Sequence, residues 1–206
     1  MRDKCQTVYT FEELSESAKA KACDWYRQGI ELDSDQLLNV DDVTTIAGIL
    51  GIRINTRTVK LMGGGTRQEP VIYWALDRDQ GASFDGWYAY GRQSCKKIRE
   101  HAPLDTDLHA IADDLQKCQR TAFYQLSARI DAIGRGTPSI RAEVERTDGK
   151  EITARQSDII GESLEGFAHW IAKQVQAEYE YQMSDEQVAE NIIANEYEFT
   201  EDGKRA

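Results

Sequence analysis

The sequence has few of the residues that metal sites and enzyme active sites most often use. It contains three histidines, and its four cysteines are scattered without a CxxC pair. Zinc sites and Ser/His or Cys/His catalysis need such residues in characteristic groups. We therefore predict free thiols, no metal, no other cofactor and no enzymatic activity. Catalysis by a carboxylate pair stays open as an alternative, because the chain holds 36 acidic residues and no pair stands out.

Long apolar runs are also absent. No stretch approaches the roughly 18 apolar residues that a membrane-spanning helix needs. The opening residues, MRDKCQTVYTFEEL, lack the apolar core of a signal peptide. We therefore expect a protein that does not enter a membrane and stays in the cytoplasm. The content of 40% hydrophobic and 30% charged residues is typical of a folded globular chain.

Positive charge is in deficit. The chain has 25 Lys and Arg against 36 Asp and Glu, which gives a net charge of −11. Residues 178–202 contain nine acids and residues 31–42 contain five, and neither segment has a Lys or Arg. This balance argues against direct nucleic-acid binding, which needs clustered cations. The acidic segments either keep the protein dissolved or form a negative surface that binds a basic partner.

The alternation of apolar and polar residues predicts a single α+β domain over residues 1–206. In it, long amphipathic helices pack on one face of an antiparallel sheet of about five strands. The predicted elements are a helical start over 10–50, a β-meander over 52–91, a long helix over 105–133, a hairpin over 139–155 and C-terminal helices over 157–196.

Four local patterns support these elements. Thr10 and Glu13 form a capping box that predicts the start of the first helix. The apolar run 71–76 predicts a central strand. Apolar residues at helical spacing predict a helix through 105–133. Asp148-Gly149 predicts a hairpin turn.

The stretch DRDQGASFDGWYAYG, residues 77–91, predicts a second hairpin with its tip at 77–81. It resembles the start of an EF-hand loop, but Gly81 stands where an oxygen ligand belongs, so we predict no calcium site.

Alternation places Phe84, Tyr88 and Tyr90 on the core face and Trp87 on the opposite, exposed face. Predicted partner-binding residues in this segment are Asp77, Asp79, Asp85 and Trp87. Whether the hairpin holds a small ligand stays open.

The segment YTFEELSESAKAKACDWYR resembles the start of a family of small uncharacterised phage-encoded proteins, described as antitoxin-like or hypothetical. Their pattern, Y-x-F-x-E-L-S-x-x-A-K-x-x-A-x-x-W-Y, is matched here by Tyr9, Phe11, Glu13, Leu14, Ser15, Ala18, Lys19, Ala22, Trp25 and Tyr26. A second family segment, Q-G-D-G-A-S-F-x-G, is matched in its latter half by residues 81–86, while Arg78-Asp79-Gln80 replaces Gln-Gly-Asp. The resemblance implies phage or prophage origin, a bacterial host cytoplasm and helices that precede strands. It supplies no catalytic residues.

Charge and resemblance together predict a non-catalytic phage accessory protein that binds and inhibits a host defence complex of the anti-CRISPR or anti-restriction kind. The expected partner is a defence nuclease or effector complex with a basic surface. The acidic C-terminal segment contributes Glu186, Glu190 and Glu196 to the predicted surface. Two alternatives stay open: an antitoxin that neutralises a basic toxin, and a protein that sequesters a small molecule or nucleotide near the hairpin.

Overall fold

The structure is a computed structural model that describes residues 7–76, 81–133 and 139–206. Its helices are α1 Glu16–Gly29, α2 Ser34–Leu37, α3 Val40–Leu50, α4 Ser94–His101, α5 Thr106–Thr121, α6 Ala154–Gln182 and α7 Asp185–Ala194. Its strands are β1 Tyr9–Thr10, β2 Ile52–Ile54, β3 Thr56–Lys60, β4 Thr66–Pro70, β5 Ile72–Ala75, β6 Gly81–Phe84, β7 Gly86–Ala89, β8 Leu126–Ile133, β9 Ser139–Arg146 and β10 Glu198–Phe199. The strand pairs are antiparallel, and the predicted α+β class is confirmed. In these three ranges, no helix is both long and apolar enough to cross a membrane.

The chain divides into two compact units. Residues Met1–Leu37 and Gln176–Ala206 form one, here called the terminal unit, and Leu38–Val175 form the other, the central unit. The prediction of one domain over residues 1–206 stays a prediction, because two compact units can still belong to a single folding domain.

The terminal unit joins the two ends of the chain around a shared apolar core. Strand β1 pairs with β10, which places Tyr9 opposite Phe199. Helices α1 and α7 supply most of the core, whose buried members are Phe11, Leu14, Ala18, Ala22, Cys23, Val188, Ile192 and Phe199.

The predicted capping box at the first helix exists, since the Thr10 amide donates to the Glu13 carboxylate at 2.8 Å. However, it holds only a 3₁₀ turn, Phe11–Glu13. The α-helix begins after Ser15, whose hydroxyl accepts from the Ala18 amide.

The central unit contains a four-stranded sheet with the order β2-β7-β8-β9. One row across it, Ile52, Tyr88, Ala128 and Val144, faces the core, and the next row, Arg53, Trp87, Arg129 and Glu143, is exposed. On the core side, the Phe84 ring makes an edge-to-face contact with the Phe167 ring of α6, and the two ring centroids are 5.6 Å apart. The sheet is therefore packed on one face and open on the other.

The strands of the predicted meander meet at a three-way junction, formed by Asn55, Val71 and Asp85. Each of these residues interrupts what would otherwise be one longer strand. Their backbones form a closed ring of hydrogen bonds: Asn55 donates to Asp85 at 2.7 Å, Asp85 to Val71 at 3.2 Å, and Val71 to Asn55 at 2.8 Å. Three antiparallel ladders leave the junction, namely β2–β7, β3–β4 and β5–β6.

The junction corrects two predictions. The run 71–76 is not a central strand, because β5 pairs with β6 in a two-stranded sheet. The arm that follows the predicted tip of the second hairpin is not one strand, because it is divided at Asp85 into β6 and β7. Gly86 allows the close crossing there, since a Cβ at this position would lie 2.4 Å from the carbonyl oxygen of Arg53.

The predicted helix over 105–133 is wrong beyond Thr121, where α5 ends and the chain turns back into β8. Phe123 and Tyr124 adopt positive φ values of 54° and 62°, which break the helix. The buried Gln119 side chain holds this turn by bonding both the amide and the carbonyl of Leu126. The pattern misled because Ala122, Leu126 and Ile130 fit a helical spacing, while Leu126, Ala128 and Ile130 fit a strand equally well.

The predicted hairpin over 139–155 is also wrong. Strand β9 pairs with β8, and the turn at Gly149, with φ of 73°, leads into α6 instead of another strand. Thr153 and Gln156 cap that helix reciprocally: the Gln156 amide donates to the Thr153 hydroxyl at 3.2 Å, and the Thr153 amide donates to the Gln156 side chain at 3.1 Å. This T-x-x-Q capping box is a helix-start signal that the prediction overlooked.

Phe84→Ala is expected to destabilise the protein by about 3–5 kcal/mol, because it removes a fully buried ring and its contact with Phe167. Urea unfolding measures the change. Tyr73→Ala is the matched control, since Tyr73 lies on the paired strand β5 but is exposed, and it should cost a fraction of that amount. Equal losses for both variants would contradict the assignment of the core face.

Gly86→Ala tests the close approach at the junction. The added methyl group would collide with the Arg53 backbone, so we expect a loss of about 1–3 kcal/mol in the free energy of unfolding. Gly63→Ala is the control, because a Cβ there would meet nothing within 4 Å. It should leave the melting temperature unchanged or slightly raised. A Gly86→Ala protein as stable as the control would show that the strands do not cross as described.

Candidate partner-binding surfaces

The residues predicted to bind a partner fall in both units. Asp77 and Asp79 lie outside the described residues. The hairpin that they were predicted to close is confirmed by the pairing of β5 with β6, in which Ala75 lies opposite Gly81. The predicted binding role of the two aspartates stays a prediction.

Asp85 has a structural task at the three-way junction. Its carboxylate accepts a hydrogen bond from the Ala132 amide at 2.7 Å, while its backbone takes part in the junction ring. The side chain therefore ties the junction to strand β8. This contact is one that sequence spacing does not reveal, because it joins residues 47 positions apart.

Trp87 is exposed, as the alternation predicted, with Phe84 and Tyr88 buried on the other side. Its cross-strand neighbours are Arg53 on β2 and Arg129 on β8. The sheet therefore places a cation on each side of this tryptophan.

Glu186, Glu190 and Glu196 are exposed in the terminal unit. The first two lie four residues apart on α7 and so share a helix face, opposite the buried Val188 and Ile192 stripe. The three glutamates form no ion pair with any residue that the structure describes. Their negative charges are therefore directed to solvent.

Two other acids of the same segment are neutralised. Asp185 is hydrogen-bonded to Arg27, and this bond raises the pKa of the Arg27 guanidinium. Asp202 pairs with Lys204 at 2.8 Å, and hydrogen bonds from Lys204 and Thr200 lower the pKa of Asp202 to about 2. The negative charge of residues 178–202 is thus partly compensated by Arg27 and Lys204, two cations that lie outside this segment in the sequence.

Nearly all of the net charge belongs to the terminal unit. This unit contains 17 acidic residues against 7 Lys and Arg, and the central unit contains 19 against 18. Their formal charges are therefore −10 and −1. The two acid-rich ends of the chain, far apart in sequence, become one strongly negative body.

An aromatic group lies at the surface of the terminal unit. The Trp25 ring meets the Tyr197 ring at 5.3 Å and nearly perpendicular, and the Arg205 guanidinium lies 4.8 Å from the centre of the Tyr197 ring. Trp25 is 36% exposed. The cluster joins α1 to the C-terminal segment, a long-range contact that spacing along the chain does not reveal.

The central unit has a groove of about 570 Å³ between α5 and the start of α6. Apolar residues such as Ile111 and Ile159 line it together with charged ones, including Lys117 and Arg155. None of the hairpin residues that the structure describes, 81–90, lines this groove, so it does not correspond to the ligand site considered for the hairpin.

Among the residues that the structure describes, no group of three or more His, Cys, Asp or Glu side chains could hold a metal ion. Cys23, Cys95 and Cys118 are free thiols, as predicted for the cysteines. Burial raises the pKa of each thiol, so these side chains are mainly protonated at neutral pH and are weak nucleophiles.

The chain is thus an α+β protein with an acidic terminal unit and a nearly neutral central unit. It belongs to a family described as Domain of unknown function (DUF8835), whose model matches residues 38–185. The match begins where the central unit begins and covers all of it. No curated protein and no solved structure matches the chain.

Asp85→Ala is expected to lower the free energy of unfolding by about 1–3 kcal/mol, because the Ala132 amide loses its acceptor. Asp85→Asn is the matched control: it keeps an oxygen that can accept the same bond and should lose clearly less. Urea unfolding compares the two variants. Indistinguishable stabilities would argue against a structural role for this carboxylate.

Proposed function

We propose that this protein is a non-catalytic binding protein whose terminal unit docks on a basic surface of a partner protein. The observation that carries the proposal is the concentration of a formal charge of −10 in the terminal unit. A field of this strength attracts a positively charged partner before contact and accelerates association.

The exposed glutamates of α7 fit the role of steering charges. Because Glu186, Glu190 and Glu196 form no ion pair within the described ranges, their negative charges are available to a basic partner. Exposed charges of this kind act mainly on the association rate, and buried aromatic contacts contribute most of the binding energy. Trp25 and Tyr197 supply such contacts in the same unit.

The partner that we propose is a host defence complex with a basic nucleic-acid channel, blocked stoichiometrically. The resemblance of residues 9–26 to phage-encoded proteins supports this choice, as does a negative surface that competes with nucleic acid for a basic channel. A basic toxin would bind the same surface, and identification of the partner distinguishes an inhibitor of defence from an antitoxin.

The test is a charge reversal with a matched control. Glu186, Glu190 and Glu196 are changed together to Lys, and in a second protein Glu151, Glu162 and Glu165 of the central unit are changed to Lys, so that both variants gain the same charge. Each protein is used to capture partners from host cells, with identification by mass spectrometry. We expect the partner to be lost or reduced with the first variant and retained with the second.

Kinetics with the captured partner complete the test. The first reversal should slow association far more than it speeds dissociation, and raising the salt concentration should slow association of the natural protein, because charges more than about 8 Å apart are largely screened near physiological ionic strength. Both variants should keep their melting temperature, since the altered side chains are exposed. A partner whose association ignores both salt and the α7 reversal would overturn the electrostatic mechanism.

A further inference from the structure

The open face of the central sheet presents a row of side chains that the proposed function does not use. Arg53 lies opposite Trp87, Trp87 opposite Arg129, and Arg129 opposite Glu143, across four neighbouring strands. All four side chains are exposed, and Trp87 is 41% exposed at the centre of the sheet. Directly opposite residues on one face are about 5 Å apart at Cβ, so a guanidinium lies within reach on each side of the indole.

We infer that this face binds single-stranded nucleic acid, with Trp87 stacking on one base and Arg53 and Arg129 contacting the phosphates on either side. A sheet face with an exposed aromatic ring offers a stacking platform for an unpaired base, whereas bases in a duplex are already stacked on each other. Arginine pairs with phosphate through two parallel hydrogen bonds. The inference stands on the sheet alone and does not depend on the acidic terminal unit.

The local charge of the central unit is compatible with this ligand. The expectation that the protein does not bind nucleic acid came from the net charge of the whole chain, but the central unit carries 18 cations against 19 acids. Arg141, which lies opposite Asp131, adds a third exposed arginine to the same face.

Two carboxylates define the limits of the site. Asp131 pairs with Arg129 at 3.0 Å, so a phosphate must compete with it for this guanidinium. Arg53 forms no ion pair or hydrogen-bonded contact through its side chain within the described part of the chain, and is the arginine most ready to receive a phosphate. Glu143 ends the row on the β9 side with a negative charge, which repels phosphate. We therefore expect the nucleic-acid strand to lie across β2, β7 and β8.

The test measures binding of a fluorescein-labelled oligodeoxythymidine of about 12 nucleotides, a length in the range that small stacking surfaces cover. Fluorescence anisotropy is followed for the natural protein and for Trp87→Ala, Trp87→Phe, Arg53→Ala and Arg155→Ala. We expect Trp87→Ala to weaken binding about tenfold or more, and Trp87→Phe to recover much of the loss, because phenylalanine also stacks. Arg155, an exposed arginine in the groove of α5 and α6, is the control and should leave the affinity unchanged.

Salt dependence separates phosphate contacts from other effects. Each phosphate contact to a single strand contributes about −0.7 to the slope of log affinity against log salt, so Arg53→Ala should make the slope shallower by about that amount. The same DNA as a duplex and a polyglutamate of similar length serve as competitors, and both should compete poorly. Absence of binding, binding that Trp87→Ala does not weaken, or equal competition by polyglutamate would each overturn the inference. Melting curves confirm that the variants are folded.

Discussion

The closed ring of backbone hydrogen bonds between Asn55, Val71 and Asp85 determines how the central unit is arranged. Each of the three residues donates one hydrogen bond and accepts one within the ring, so the polar groups left over at the strand breaks are satisfied. The ring lets three ladders diverge from one point, where a simple meander would have continued as one sheet. It also fixes the direction of β7, which pairs with both β2 and β8.

Several side chains reinforce this arrangement. The Asp85 carboxylate ties the ring to β8, and Gly86 removes the side chain that would keep β7 from β2. Buried Gln119 performs a similar task at the other end of β8, where its amide nitrogen also donates to the Tyr88 hydroxyl. Burial raises the pKa of the Tyr88 phenol, so it stays protonated and neutral in the core. These polar contacts hold both ends of the strand pair that carries Trp87 and Arg129.

The family match covers one of the two proposed surfaces and not the other. The row of Arg53, Trp87 and Arg129 lies within the residues that match DUF8835. The match includes α6 but ends at residue 185, so Glu186, Glu190, Glu196 and the whole N-terminal part of the terminal unit lie outside it. The two proposed surfaces therefore differ in this respect: the sheet face lies in the region that matches the family, and the α7 glutamates do not.

Local chemistry determined what the sequence alone could predict. The α+β class, the hairpin at β5 and β6, the presence of C-terminal helices and the opposite faces of Phe84 and Trp87 all follow from alternation and apolar spacing, which act within a few residues. The total charge was also readable, but its concentration in one unit was not, because it depends on pairing β1 with β10 across the whole chain. Strand β8 was predicted as helix because its apolar residues fit both the helical and the strand spacing. The strand forms because Gln119 and the turn at Phe123 and Tyr124 end the helix before it. Likewise, only the register of β2, β7 and β8 could place two arginines beside Trp87, since cross-strand neighbours are set by long-range hydrogen bonds and not by spacing along the chain.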